Sequence, residues 1–409
     1  MTAGTRPVAV AEPPATDGKD PEARLLGGLV DAAHTVPPDG LVGLVADRCE
    51  RSGLRDLVVQ LQDYDQQQLV AVPVEGREVP APERLDASMA GRAFTSHVMQ
   101  RADRPDGVRL WAVMLDGTDR VGVLGVTVDD DDEPVRRLVG RLAGLVADMI
   151  VTKGAYSDVF FRLRRRRPMT LPAEMQWHLL PPLLMTTPRV SVAGALEPAY
   201  EVGGDAFDYA LNGDLLHLAI LDAVGHGLRA AVMAGVATAS YRHARRADVG
   251  LEDVYAVMDE AVGAQAQPEE FVTAQVAELD TRTGALRWVN AGHPAPLLVR
   301  DRRVVGPLDV ETTLPVGFGG ARPVVATERL EPGDRVLFFT DGATEQRTSR
   351  GPRLGDELFE DLAERACSAG LIVAETVRRL VASLLDQNDG KQPDDDATVV
   401  LVEWRGPAG

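Results

Sequence analysis

Apolar residues recur along this chain with two periods, and the switches between them mark out its organisation. Helical spacing at Leu25–Ala33 and Leu41–Arg51 gives way to strand-like alternation at Asp56–Gln62 and Gln68–Val74. A helical stretch near Ala87–Met99 follows. Two β-rich runs, Val108–Leu115 and Arg120–Val128, then flank Asp116-Gly117-Thr118-Asp119, a strong hairpin turn signal. Residues 23–132 therefore read as a small α/β domain. Ahead of them, residues 1–22 are rich in Pro, Ala, Gly and Asp without periodicity, which predicts a flexible tail.

From Pro134 to Arg167 the spacing changes again. Val135, Leu138, Leu142, Leu145, Met149, Tyr156, Val159 and Leu163 follow a 3-4-3-4 pattern, with Thr152 filling one seam position. Sustained over several heptads, this predicts a coiled coil and so a homodimer. Asp129 to Glu133 precede Pro134 at the expected helix start, and Arg164 to Arg167 sit at its end, where each sign of charge suits the helix dipole. Prolines 168, 172, 181 and 182 break up the next stretch, leaving a short helix at Ala173–Leu180. Residues 133–188 thus read as a coiled-coil linker ending in a short helix placed to act as a switch.

Residues 189–405 alternate strands with helices. Strands are expected at Val190–Ala195, Leu215–Leu221, Phe271–Leu279, Ala285–Asn290, Asp334–Thr340 and Thr398–Trp404. Helices are expected at Leu228–Arg245, Leu251–Ala264, Glu357–Cys367 and Ile372–Leu385. The strands come in hairpins rather than in crossovers. That predicts an α+β fold, an antiparallel β-sandwich flanked by helices.

Charge narrows the function. Against 43 Lys and Arg stand 62 Asp and Glu, a net charge of −19, which repels nucleic-acid backbones and anionic lipid. Cys49 and Cys367 are far apart and form no CxxC pair, so no disulfide framework or thiolate metal cage is expected. The most apolar stretch, Leu215 to Tyr241, is interrupted by Asp222, His226 and Arg229, so no membrane span is expected. A cytoplasmic location follows as the expectation.

The chemistry lies in four aspartates at expected strand ends, with glycines close by. These are Asp205 after Gly203-Gly204, Asp222 before Ala223-Val224-Gly225-His226-Gly227, Asp341 before Gly342, and Asp395 within Asp394–Asp396. Singly, each reads as a turn or cap residue. Together without a cation they would repel: two unit charges ~4 Å apart at an effective dielectric of ~20 cost about 4 kcal/mol. Oxygen-only ligation selects hard ions, Mg²⁺ or Mn²⁺. Two such ions ~3.5–4 Å apart can activate a water and clamp the oxygens of an in-line phosphoryl displacement.

The ordered motifs Gly203-Gly204-Asp205-Ala206-Phe207-Asp208, Asp222-Ala223-Val224-Gly225-His226-Gly227, Phe271-Val272-Thr273, Asn290-Ala291-Gly292-His293-Pro294, Leu314-Pro315-Val316-Gly317, Thr340–Glu345 and Asp395-Asp396-Ala397-Thr398 resemble the metal-dependent PPM serine/threonine phosphatases of the bacterial SpoIIE and RsbU branch. The resemblance implies that Asp222 bridges two Mn²⁺ or Mg²⁺ ions, with the Ala223 carbonyl as a further ligand. Asp205, Asp341 and Asp395 would complete the cluster, and Asp396, Asp208 and His226 would stand behind it. His226 would be a proton donor to the leaving serine or a packed or solvent-facing side chain, and Asp208 an outer ligand or a turn cap. His293 reads as a structural turn residue. No arginine stands out as a phosphate clamp.

The resemblance further implies hydrolysis of phosphoserine or phosphothreonine on a phosphorylated anti-sigma-factor antagonist of the STAS type. Residues 23–132, with their "GRAF" and "RVGVLGV" runs, resemble a GAF-type sensor domain that would gate the activity. Two other readings meet residues that oppose them. A diguanylate cyclase needs Glu-Phe after Gly-Gly-Asp, where this chain has Ala206-Phe207. A catalytically silent scaffold would not need aspartate at all four ligand positions.

Overall fold

The structure is a computed structural model that describes residues 21–117, 119–200, 203–320, 322–345, 354–387 and 396–407. The sequence-predicted tail falls almost wholly outside these residues, as does Thr118 of the predicted hairpin turn.

The N-terminal unit runs α1 (Pro21–Ala33), α2 (Leu41–Arg51), β1 (Arg55–Gln62), β2 (Gln68–Ala71), β3 (Glu83–Arg84) and α3 (Met89–Ser96). It continues through β4 (Gln100–Arg104), β5 (Gly107–Asp116), β6 (Asp119–Val128) and α4 (Glu133–Gly154). Its strands form one antiparallel sheet in the order β3-β2-β1-β6-β5-β4. Period-two alternation sends Leu110, Ala112, Leu124 and Val126 to the core shared with α1, α2 and α4. Trp111 and Val123 point the other way, onto Phe94 of α3.

The predicted coiled coil is broken. Helix α4 ends at Gly154, and only a short α5 (Val159–Leu163) resumes beyond Ser157-Asp158. Leu142 and Met149 of the predicted seam, with Val139, Val146 and Ile150, are buried in the core of their own domain. The apolar stripe is satisfied within the chain, whereas Tyr156 and Val159 lie exposed. The start of α4 is as expected: Asp132 caps it by accepting from Val135 N at 2.9 Å, with Pro134 in the first turn.

The arginine run begins at the C-cap of α5, Arg164, and its side chains reach beyond the helix end. Arg164 donates to Gln62 O at 2.7 Å and stacks on Tyr64, Arg165 pairs with Glu174 at 2.7 Å, and Arg166 with Asp65 at 3.3 Å. Arg167 lies over Tyr200. These contacts clasp the N-terminal unit to the linker and the C-terminal domain. Helix α6 (Leu171–Leu179) matches the predicted short helix to within two residues and is capped by Thr170.

The C-terminal domain then runs β7 (Leu184–Thr186), β8 (Val190–Glu197), β9 (Asp205–Asn212), β10 (Leu215–Ala223), α7 (Leu228–Arg246) and α8 (Leu251–Gly263). Next come β11 (Val272–Asp280), β12 (Ala285–Ala291), β13 (Leu297–Arg300), β14 (Arg303–Pro307), β15 (Ala326–Arg329) and β16 (Arg335–Phe339). The last elements are α9 (Gly342–Glu345), α10 (Asp356–Ser368), α11 (Val373–Gln387) and β17 (Ala397–Trp404). Two antiparallel sheets, β15-β12-β11-β10-β9 and β14-β13-β16-β17-β8-β7, face each other. Phe207, Ile220, Trp288, Phe338 and Val400 interdigitate between them. Helices α7 and α8 cover one outer face, and α10 and α11 the other. This is the expected α+β sandwich. Among the described residues, no helix is long and apolar enough to cross a membrane.

Candidate metal and phosphoryl site

Asp205 opens β9 and Asp222 is the next-to-last residue of β10, and the antiparallel register makes them direct cross-strand partners. Side chains so paired stand roughly 5 Å apart at Cβ. Asp205 is 1% exposed. Thr340, just after β16 of the opposite sheet, donates to its Oδ2 at 2.7 Å. The same Thr340 hydroxyl accepts from Thr398 N at 2.9 Å, so one hydroxyl joins the two sheets at this point. Burial, then the negative charges of Asp222 and Asp396, hold the Asp205 carboxyl well above the usual carboxylate range.

Asp396 supports the turn before Asp205. Its Oδ2 accepts from Gly203 N at 2.6 Å, Gly204 N at 2.7 Å and, more loosely, Asp205 N at 3.4 Å. It holds the backbone of the Gly203-Gly204 turn. Asp395, the expected ligand, and Asp394 lie outside the described residues. Asp341 is exposed in the turn after β16, and its carbonyl accepts from Glu345 N at 2.7 Å. A Cβ on Gly342 would lie 1.8 Å from Asp396 O, so the Asp341-Gly342 turn rests against the chain entering β17.

Ala223 is buried, and its N donates to Gly204 O at 3.1 Å. A Cβ on Gly204 would sit 2.3 Å from Ala223 O. Gly204→Ala is accordingly expected to push this carbonyl and Asp205 apart and to destabilise the domain by ~1–3 kcal/mol. Urea unfolding of the variant checks this, and an unchanged midpoint would contradict the crowding. His226 is exposed in the loop between β10 and α7, beside Gly203.

Of two further sequence-predicted residues, Asp208 takes another role and His293 does not. Asp208 neither joins the cluster nor caps a turn. Its side chain is 2% exposed and pairs with Arg242 at 2.8 Å and Arg245 at 2.7 Å, tying β9 to α7. His293 is a buried turn residue as expected. Its N donates to Asn290 Oδ1, its Nδ1 meets Thr273 Oγ at 2.8 Å, and burial pushes its imidazole down to about 3.

Thr340 and Gln176 were missed from sequence. Gln176 of α6 is 2% exposed and donates its amide to the backbone carbonyl of Asp205. Arg242 likewise donates to Leu179 O at the end of α6. Position before the Asp341 motif was a signal for Thr340, whereas nothing local marked Gln176.

The donor set is oxygen only. A buried carboxyl beside two like charges is costly as an anion, a cost that a hard divalent cation relieves, so these residues fit such an ion. Among the described residues, no group of three or more His, Cys, Asp or Glu side chains gathers closely enough to hold a metal. The expected set needs Asp395 as well.

Residues 212–405 match the family model of Stage II sporulation protein E (SpoIIE). Over these residues, just under half of the chain, the sequence is similar to that family. The match contains Asp222, Asp341 and Asp395 and begins after Asp205, which the β9–β10 register adds. The chain is 23% identical over 233 residues to phosphoserine phosphatase RsbU of Bacillus subtilis, covering 56% of this chain and 68% of that one. It is 24% identical over 251 residues to phosphoserine phosphatase RsbP of the same organism, covering 59% of each. The matched stretch thus spans about six- to seven-tenths of these relatives. The SiaA-PP2C domain of Pseudomonas aeruginosa superposes with a TM-score of 0.49 at 21% identity, covering 57% of this chain and 94% of that domain.

Proposed function

We propose that this chain is a metal-dependent protein serine/threonine phosphatase that hydrolyses phosphoserine or phosphothreonine on a regulatory protein. The substrate class we infer is a phosphorylated anti-sigma-factor antagonist, and the signal enters through the N-terminal unit, acting as a GAF-like sensor. The observation that carries the reading is the cross-strand pairing of Asp205 with Asp222, buried beside Asp396 and joined to the opposite sheet by Thr340.

In this reading Asp205, Asp222, Asp341 and Asp395, with the Ala223 carbonyl, hold two divalent ions, Mn²⁺ or Mg²⁺. When bound, the ions offset charge on the phosphoryl oxygens and acidify the attacking water. Thr340 fixes the Asp205 carboxylate, and Asp396 fixes the glycine turn that carries it. His226, exposed in the loop after β10, would give a proton to the leaving serine oxygen in this reading. What supports gating is the chain of contacts Tyr64–Trp177–Gln176–Asp205. The Tyr64 and Trp177 rings lie 4.6 Å apart, and the preceding residue of α6, Gln176, holds the Asp205 carbonyl.

The test is hydrolysis of p-nitrophenyl phosphate and of a phosphoserine protein with Mn²⁺, Mg²⁺ and chelator. Turnover with either ion and none with chelator is expected. No turnover with any divalent ion would remove the reading.

A further inference from the structure

Away from the carboxylates, a cavity of about 380 Å³ opens where the N-terminal unit meets the rest of the chain. Strands β1 and β6 contribute Gln62 and Arg120, the linker Arg164 and Trp177, and the C-terminal domain Leu184 and Val377. No single unit of the chain forms this space alone.

Its polar groups are underused. Arg120 is 8% exposed, and among the described residues its guanidinium makes one long hydrogen bond, to Phe94 O at 3.4 Å, while lying over the Phe94 ring. Burial pushes it down to about 10, which leaves it a cation at neutral pH. Gln62 is 5% exposed, and its amide nitrogen has no hydrogen-bond partner. Buried donors left in this state are uncommon, and the two residues line one solvent-sized space. The charged groups lining the cavity are Arg120, Arg164 and Asp119, a formal charge of +1, and Glu375 and Arg378, which also act on Arg120, add one charge of each sign. That balance suits a monoanion better than a dianionic phosphate, and a guanidinium beside an amide matches the planar fork of a carboxylate.

We propose that this cavity binds a small organic monocarboxylate, its carboxylate on Arg120 and Gln62 and its apolar body against Leu184 and Val377. Such a ligand binds only the docked arrangement of the two units and therefore favours it. Trp177 in the cavity wall and Gln176 on the Asp205 carbonyl are neighbours on α6, so occupancy also biases the carboxylate site. Binding stands without the phosphatase reading, whereas this second step rests on it.

The experiment uses the full chain, with butyrate, pyruvate, benzoate and inorganic phosphate as probes, read by thermal shift and titration calorimetry. At least one carboxylate is expected to bind and phosphate to bind more weakly. Arg120→Gln and Gln62→Leu are each expected to weaken binding on the order of tenfold or more. If Arg120→Gln does not fold, Gln62→Leu alone decides. Absence of binding by all three carboxylates, equal binding to the variants, or preference for phosphate would overturn the proposal. Binding without change in Mn²⁺-dependent turnover would overturn the coupling alone. Absence of turnover in every sample would count against the phosphatase reading and leave the binding result standing.

Discussion

Asp222→Asn is expected to lower Mn²⁺-dependent hydrolysis on the order of 10³-fold or more, and at the same time to raise the melting temperature of the chelated protein. The two effects share one cause. The register places Asp222 opposite the buried Asp205, and Asp396 adds a third negative charge nearby. Without a cation, two charges ~5 Å apart at an effective dielectric of ~20 repel by about 3 kcal/mol, a ceiling reached only above the raised pKa of Asp205. Asparagine keeps the shape and removes one charge, so a gain of ~1–3 kcal/mol is expected, or a few degrees in Tm. With divalent ions the same change removes the position from which both ions would be held, and with it the stabilisation of charge developing on the phosphoryl group. A merely structural aspartate would give the opposite result, with lower stability and activity lost only as the fold is lost. Melting curves with chelator and with Mn²⁺, beside turnover, separate the two. If Asp222→Asn retained turnover within tenfold, the carboxylate would have no part in the chemistry.

The elements legible from sequence were those whose pattern is set by one uniform environment. Strand β10 reads as an apolar run because its residues are buried in a sheet between two layers, and α7, α8, α10 and α11 carry one apolar face each. Edge strands were not legible. β4, with the sequence Gln-Arg-Ala-Asp-Arg, is held by main-chain pairing to β5 alone, which leaves no side-chain signature. β9 was hidden because Asp208 interrupts its alternation, and only the distant Arg242 and Arg245 make a buried aspartate tolerable there. The α4 heptads misled because a helix packed on its own sheet and a helix packed on a partner show the same apolar spacing. In the site, Asp222 stood out at the end of an apolar strand and Asp205 by the Gly203-Gly204 before it. The roles of Thr340 and Gln176 depend on the approach of segments more than a hundred and about thirty residues away. No local pattern encodes such an approach.

The junction between the units also carries a pH response. Glu197, at the end of β8, is 9% exposed, and burial, then the charge of Asp65, pushes its carboxyl up to about 8. Asp63 adds to the shift from the same side, while Ala199 N and Arg167 oppose it. An acid whose folded-state pKa is raised keeps its proton in the native state between its ordinary value of 4.5 and about 8, where the unfolded chain has released it. The native state then binds more protons than the unfolded one, so stability falls as pH rises through this window, by up to ~1.4 kcal/mol per unit. The accumulated loss at pH 8 has an upper bound of ~5 kcal/mol. His293, pushed down to about 3, and His97, pushed down to about 4, act with the opposite sign, but their contributions are complete by pH 6.5. Asp119, raised to about 6, loses its contribution mostly below that pH. Between pH 6.5 and 8 the slope is therefore set largely by Glu197. Asp205 is common to both proteins in a comparison with Glu197→Gln, and drops out of the difference. Glutamine keeps an acceptor for Ala199 N and cannot ionise. Glu197→Gln is expected to match the wild type near pH 5 and to exceed it by ~2–4 kcal/mol at pH 8 in urea unfolding. Because the charge appears against Asp63 and Asp65 of the N-terminal unit, the wild type is also expected to become more open to proteolysis in the 164–167 clasp over the same pH range. Parallel unfolding curves for the two proteins from pH 5 to 8 would show that Glu197 is already ionised in the folded chain, and the junction would then have no such response.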